Sequence, residues 1–188
     1  MEADERDLRI VRTEGRLIEA FLRLKSGRSF KSITVSDLCR EAGVSRATFY
    51  NRFDSMEGIL DAAIDSVLGS LPAMERCINA YRWSGMMGGE PLCVHVRSHP
   101  ELHGLFYDVE MHGRIVERKA ERFSEESWRT MSRFGDLTRE QYMDFVRCQL
   151  AGCLSAMASK AGCSDEEWSG TRKVIDDMAL TFLNNHTV

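Results

Sequence analysis

No apolar run in this chain approaches the ~20 residues needed to cross a bilayer. The opening MEADERDLRIVR is charged throughout, with no hydrophobic stretch of the secretory-signal kind. A cytoplasmic address and no membrane partner are therefore expected. The six cysteines (Cys39, Cys77, Cys93, Cys148, Cys153, Cys163) contain no C-x-x-C pair, which points to reduced thiols rather than a disulfide framework. Also missing are G-x-S-x-G, G-x-G-x-x-G, H-E-x-x-H and the phosphate-binding loop motif, so no catalytic residue, no cofactor and no enzyme activity are expected. Past Pro72 there is neither period-two alternation nor an Asn-Gly turn, which removes the usual signs of strands. The fold class expected is all-α.

What is present is an ordinary globular composition, 43% hydrophobic and 29% charged over 188 residues, enough to bury a core without staples. The net charge of −4 argues against indiscriminate binding to nucleic acid, but the charges are unevenly placed. Arg9 to Arg52 holds ten Lys/Arg against four Asp/Glu, a local balance of +6 that leaves about −10 for the remainder. Any phosphate-facing surface belongs to that basic stretch.

Within it lies ITVSDLCREAGVSRATFYNRF, residues 33–53, where two short helices have legible ends. Thr34 and Asp37 have the spacing of a reciprocal capping box, and Ile33 and Leu38 that of a hydrophobic staple. Gly43 supplies the left-handed residue that stops the first helix, and Ser45 caps the second, with Val44 and Phe49 repeating the staple. Val35, Leu38 and Ala42 share one face, as do Phe49 and Phe53. Arg46, Ala47, Tyr50 and Asn51 are left pointing outward. A slim helix carrying a guanidinium, a phenol and a carboxamide near its N-terminal end suits a DNA major groove. Thr48 is better placed for a phosphate, and Thr34 and Ser36 are further candidates. The pattern is a helix-turn-helix.

The run from Arg12 to about Leu60, in particular ITV, then AGVSRATFY, then Phe53 and Asp54-Ser55, resembles the DNA-binding domain of the TetR (TetR/AcrR-like) family of bacterial regulators. The resemblance implies an N-terminal three-helix helix-turn-helix domain and a C-terminal helical ligand-binding and dimerisation domain. Its partners would be a double-stranded DNA operator, a second copy of the chain and a small-molecule effector that releases a repressor. The alternative is a coactivator or adaptor whose C-terminal domain binds a protein instead. One departure is Met56, at a position where members commonly carry a phosphate-touching Lys.

The chain continues with Ser55 capping a helix whose apolar positions, Ile59, Leu60, Ala63, Ile64, Val67, Leu68 and Leu71, keep a 3.6-residue period up to Pro72. This helix links the two halves, and the expected domains are residues 1–68 and 69–188. Further helices are expected at 73–83, 91–98, 101–108, 110–131, 138–160 and 165–184, with capping boxes at Thr138/Gln141 and Ser164/Glu167. The last two have apolar residues on more than one side and a small-residue stripe at Cys148, Gly152, Ser155 and Ser159. A two-fold dimer would cover them. The interface expected comprises Tyr142, Val146, Leu150, Cys153, Leu154 and Met157 with Ile175, Met178 and Phe182. An effector pocket is expected from Trp83, Met87, His95, His99, Phe106, Met111 and Trp128. His95, His99 and His103 fall at i, i+4 and i+8, but Pro100 breaks the run and no carboxylate completes a ligand set, so no metal is assigned.

Overall fold

The computed structural model describes residues 2–70, 92–122, 128 and 137–185. Those residues form nine α-helices and two short 3-10 turns, and no strand is present among them. The all-α expectation holds.

Helix α1 (Glu2–Lys25) runs through the charged opening of the sequence. The reason is local: Glu, Asp and Arg are tolerated in a helix and nothing in DERDLRIVR breaks one. Leu17, Ala20 and Phe21 of α1 are fully buried, and Phe30, in the 3-10 turn Phe30–Ser32, meets Phe21 edge-on at 6.2 Å. Helices α2 (Val35–Ala42), α3 (Arg46–Tyr50) and α4 (Met56–Ser70) follow. Leu38, Phe49, Ile59 and Ile64 complete an apolar centre inside this small bundle.

The chain divides into two compact units, one comprising Met1–Val67 with Pro100–Leu105 and the other Leu68–His99 with Phe106–Val188. In the first unit, helix α6 (Pro100–Phe106) brings Gly104 hard against the end of α1. A Cβ there would stand 2.3 Å from the carbonyl oxygen of Lys25 and 2.5 Å from Cα of Ser26, so only glycine fits. Lys25, 3% exposed, donates from Nζ to the Gly104 carbonyl. No local signal in the sequence assigns the six-residue segment Pro100–Leu105 to the N-terminal bundle.

The second unit contains α5 (Leu92–Ser98), the turn Val109–Met111, α7 (His112–Glu121), α8 (Arg139–Ser159) and α9 (Asp165–Asn185). Both expected capping boxes form. Thr138 N–H donates to Gln141 at 2.8 Å and Gln141 N–H to Thr138 at 3.2 Å, while Ser164 and Glu167 exchange the same pair at 3.0 and 3.2 Å. Helix α8 packs against α7 and α9. Arg97 of α5 reaches the start of α9, donating to Asp165 at 2.9 Å and to the Cys163 carbonyl at 3.2 Å while lying over the Trp168 ring at 5.4 Å. The helix expected at 73–83 and the loop after it lie outside the described residues, and of the helix expected at 110–131 the described part is α7.

Most of the residues expected at a dimer interface are covered within the protomer. Tyr142, Val146, Leu150, Leu154 and Met157 are all buried within the protomer itself. Tyr142 and Val146 pack with Trp128, Leu137 and Phe145, and Phe182 of α9 stacks on Phe145 at 4.4 Å. Cys153 and Ile175 are half-buried, and of the residues named for the interface only Met178 is largely exposed, at 68%. Side chains already screened from water by their own chain gain little more from a partner.

Candidate nucleic-acid interface

The site is assembled by caps. Thr34 has extended backbone and its hydroxyl accepts from the Asp37 N–H at 3.1 Å, while the Asp37 carboxylate accepts from the Thr34 N–H at 3.3 Å. That carboxylate also takes the Thr34 hydroxyl at 3.0 Å, Arg28 at 3.1 Å and Arg40 at 2.6 Å. So many donors favour the charged form. Hydrogen bonds from the Thr34 hydroxyl and N–H, then from Arg28, hold the Asp37 carboxyl at about 2, well below the usual carboxylate range.

Helix α2 stops at Gly43, whose φ of +63° is the left-handed conformation that glycine adopts without a Cβ penalty. Two residues later Ser45 starts α3, accepting from the Thr48 N–H at 3.0 Å and sharing a 2.8 Å hydroxyl hydrogen bond with Thr48. The turn is closed from outside by a residue of α1. Arg16 donates to the Ala42 carbonyl at 2.7 Å and lies 3.4 Å from that of Gly43. Its cation sits where the end of α2 presents unpaired carbonyls and the negative end of the helix dipole. A basic residue on a neighbouring helix is a recognisable helix-end partner only once the two helices are seen side by side.

On α3 the division between inside and outside is clean. Phe49 is fully buried and touches Phe53 (ring centroids 5.9 Å apart), whereas Arg46, Ala47, Tyr50 and Asn51 are exposed. Tyr50 keeps 48% of its surface open, and its ring meets Phe49 edge-on at 5.2 Å, which fixes its direction. Thr34 and Ser36 are exposed at the start of α2, and Thr48 is half-buried with its hydroxyl engaged by Ser45. Met56 opens α4, half-buried.

The basic excess of this unit has two fates. Arg16, Arg23, Arg28 and Arg40 are tied into the bundle, Arg23 through Glu41 at 2.9 Å. Arg9, Arg12, Arg46 and Arg52 are exposed. The arrangement can offer a short rigid helix with base-reading side chains, flanked by cations for phosphates.

The residues named for an effector pocket are placed less coherently. Phe106 and Met111 are core residues, and Trp128 lies against Tyr142. The rings of His95 and His99 stack on each other, 4.1 Å apart, with Nδ1 of His99 2.8 Å from the His95 carbonyl. Trp83 and Met87 are outside the described residues. Among the described residues no group of three or more His, Cys, Asp or Glu is arranged to hold a metal ion, and no helix is long and apolar enough to cross a membrane.

Two capped helices joined by a left-handed glycine, with one polar face held outward, define a helix-turn-helix. Residues 17–63 match the family described as "Bacterial regulatory proteins, tetR family". The chain is similar to the HTH-type transcriptional regulator EthR of Mycolicibacterium smegmatis (strain ATCC 700084 / mc(2)155), 38% identical over 65 residues, which is 35% of this chain. The match spans only about a quarter of that relative, 27% of its length. In fold the chain is similar to RolR solved in complex with resorcinol (18% identity, TM-score 0.51, covering 97% of this chain and 91% of that one). It is similar also to a putative tetR family transcription regulator from Shewanella sp. PV-4 (17% identity, TM-score 0.50, covering 94% and 98%).

Proposed function

We propose that this protein is a cytoplasmic, homodimeric repressor that binds a pseudo-palindromic DNA operator through residues 1–68 and is released by a small molecule bound within residues 69–188. The observation that carries the DNA reading is α3, its Phe49 side locked into the bundle and its Arg46, Ala47, Tyr50 and Asn51 side open. Arg46, Tyr50 and Asn51 read base edges or set the helix in the groove; Thr34, Ser36 and Thr48, with the exposed arginines, hold phosphates.

A dimer supplies two such helices, which must meet major grooves about 34 Å apart. The surface best suited to form it is the open side of the last two helices. Cys148, Gly152, Ser155 and Ser159 of α8 are exposed, as are Val174 (60%) and Met178 of α9. Small residues permit close helix approach and the two large apolar ones supply burial. Release follows if effector binds more tightly to an arrangement in which the two probes are wrongly spaced. The fold shared with RolR, which was solved with resorcinol, supports the effector half of this reading.

The test is selection of bound duplexes from a random pool by the full chain, followed by affinity measurements over a range of salt concentrations. A two-fold symmetric sequence should be enriched, and Arg46→Ala and Tyr50→Ala should bind it more weakly. If no sequence is enriched, or both variants bind as the parent does, the reading fails.

A further inference from the structure

Of the histidines spaced at i, i+4 and i+8, the structure holds two in contact within one unit. His95 lies in α5 and His99 follows its last residue, after which Pro100 takes the chain, and His103 with it, to the other unit. The rings of His95 and His99 are stacked, centroids 4.1 Å apart and planes inclined at 29°, and both residues are half-buried. Arg97, between them in sequence, is committed to Asp165 and the Cys163 carbonyl.

Backbone chemistry decides which nitrogen of His99 is available. The His95 carbonyl is among the last of α5, for which the helix supplies no N–H of its own. Nδ1 of His99 lies 2.8 Å from it. A carbonyl oxygen can only accept, so Nδ1 carries the hydrogen and the lone pair of the neutral ring stands on Nε2. A metal-ligating histidine is arranged in the same way, with one ring N–H given to a carbonyl, which fixes tautomer and direction, and the opposite nitrogen left for the ion. Two nitrogens bound to one ion at about 2.0–2.1 Å stand ~3 Å apart. Rings already stacked at 4.1 Å reach that separation by rotation of the His95 ring about its soft terminal torsion.

We propose that His95 and His99 form a binding site for a late first-row divalent metal ion, Ni²⁺, Cu²⁺ or Zn²⁺, held by two imidazole nitrogens with water in its remaining positions. Imidazole suits these ions, whereas Mg²⁺ and Ca²⁺ require oxygen ligands. With only two protein ligands the site is open, so the ion exchanges rather than serving as a structural staple. The site does not depend on whether α3 meets DNA.

The experiment titrates Ni²⁺ into the full-length chain, without an affinity tag and reduced by a phosphine, in an isothermal calorimeter, and measures X-ray absorption of the loaded protein at the nickel edge. Expected are one ion per chain, a thermal midpoint raised by saturating Ni²⁺, and a shell of nitrogen and oxygen with the outer scattering of imidazole and no sulfur. His95→Gln and His99→Gln should each weaken binding by ~10-fold or more, since losing only the hydrogen-bond partner of a ligand already costs about that much. His103→Gln should bind as the parent does. Circular dichroism confirms that the variants are folded, and the absorption spectrum of the parent needs no variant. A sulfur ligand, unchanged affinity in both His95→Gln and His99→Gln, loss of binding in His103→Gln, displacement by equimolar Mg²⁺, or no bound nickel would each overturn the proposal.

Discussion

The Arg16 guanidinium donates to the Ala42 carbonyl at 2.7 Å, so the first helix of the bundle closes the end of the second. The turn that aims α3 is thereby supported by a residue 26 positions earlier. Replacing Arg16 by Ala should lower stability by about 1 kcal/mol, the usual scale for a lost hydrogen bond of this kind. Operator affinity should fall as well, although Arg16 is not assigned to DNA. Urea unfolding and DNA titration of the same sample check both effects, and an unchanged urea midpoint would remove Arg16 from this role.

Gly43→Ala probes the same turn from the other side. At φ +63° an alanine is strained, and its Cβ would approach the Arg16 guanidinium to 3.1 Å. A loss of about 1 kcal/mol in the folded state is expected, with the helix-turn-helix circular dichroism retained at low temperature.

Gly104→Ala should be worse, because the obstruction is backbone at 2.3 and 2.5 Å rather than a side chain that can swing away. Forced separation of α6 from the end of α1 should cost about 1–3 kcal/mol. Thermal unfolding measures it, and an unchanged midpoint would mean that the two segments part without loss.

Acid should weaken the start of α2. Asp37 is held at about 2 in the fold and returns to about 3.9 when unfolded. A group depressed in the native state contributes stability that is complete above its unfolded value and is lost as the pH falls through its folded one. The urea midpoint of the parent should therefore approach that of Asp37→Asn between about pH 4 and pH 2, and differ most at neutral pH. Parallel midpoints across that window would contradict the assignment.

The two sides of α8 and α9 should respond differently to substitution. Val174→Asp with Met178→Glu should give a folded monomer in analytical ultracentrifugation, since both side chains are open in the protomer. Tyr142→Ala should instead unfold the second unit, at the 3–5 kcal/mol or so typical of a buried aromatic. A monomer from the second change and not the first would reverse the assignment of faces.

The helix-turn-helix was legible from residues alone because each of its signals acts over four positions or fewer. Thr34 finds Asp37, Ser45 finds Thr48, and Gly43 needs no partner to take a left-handed turn. The same holds for the boxes that begin α8 and α9. Tertiary structure alone decided what crosses between helices. That Arg16 serves Ala42, that Lys25 is buried under Gly104, and that Arg97 reaches Asp165 depend on how far-apart segments lie together. Helix α8 makes the limit plain. With apolar residues on more than one side, its sequence is compatible with either face turned inward, and only the packing of α7 and α9 against it selected Tyr142, Val146, Leu150, Leu154 and Met157 for the protomer's own core.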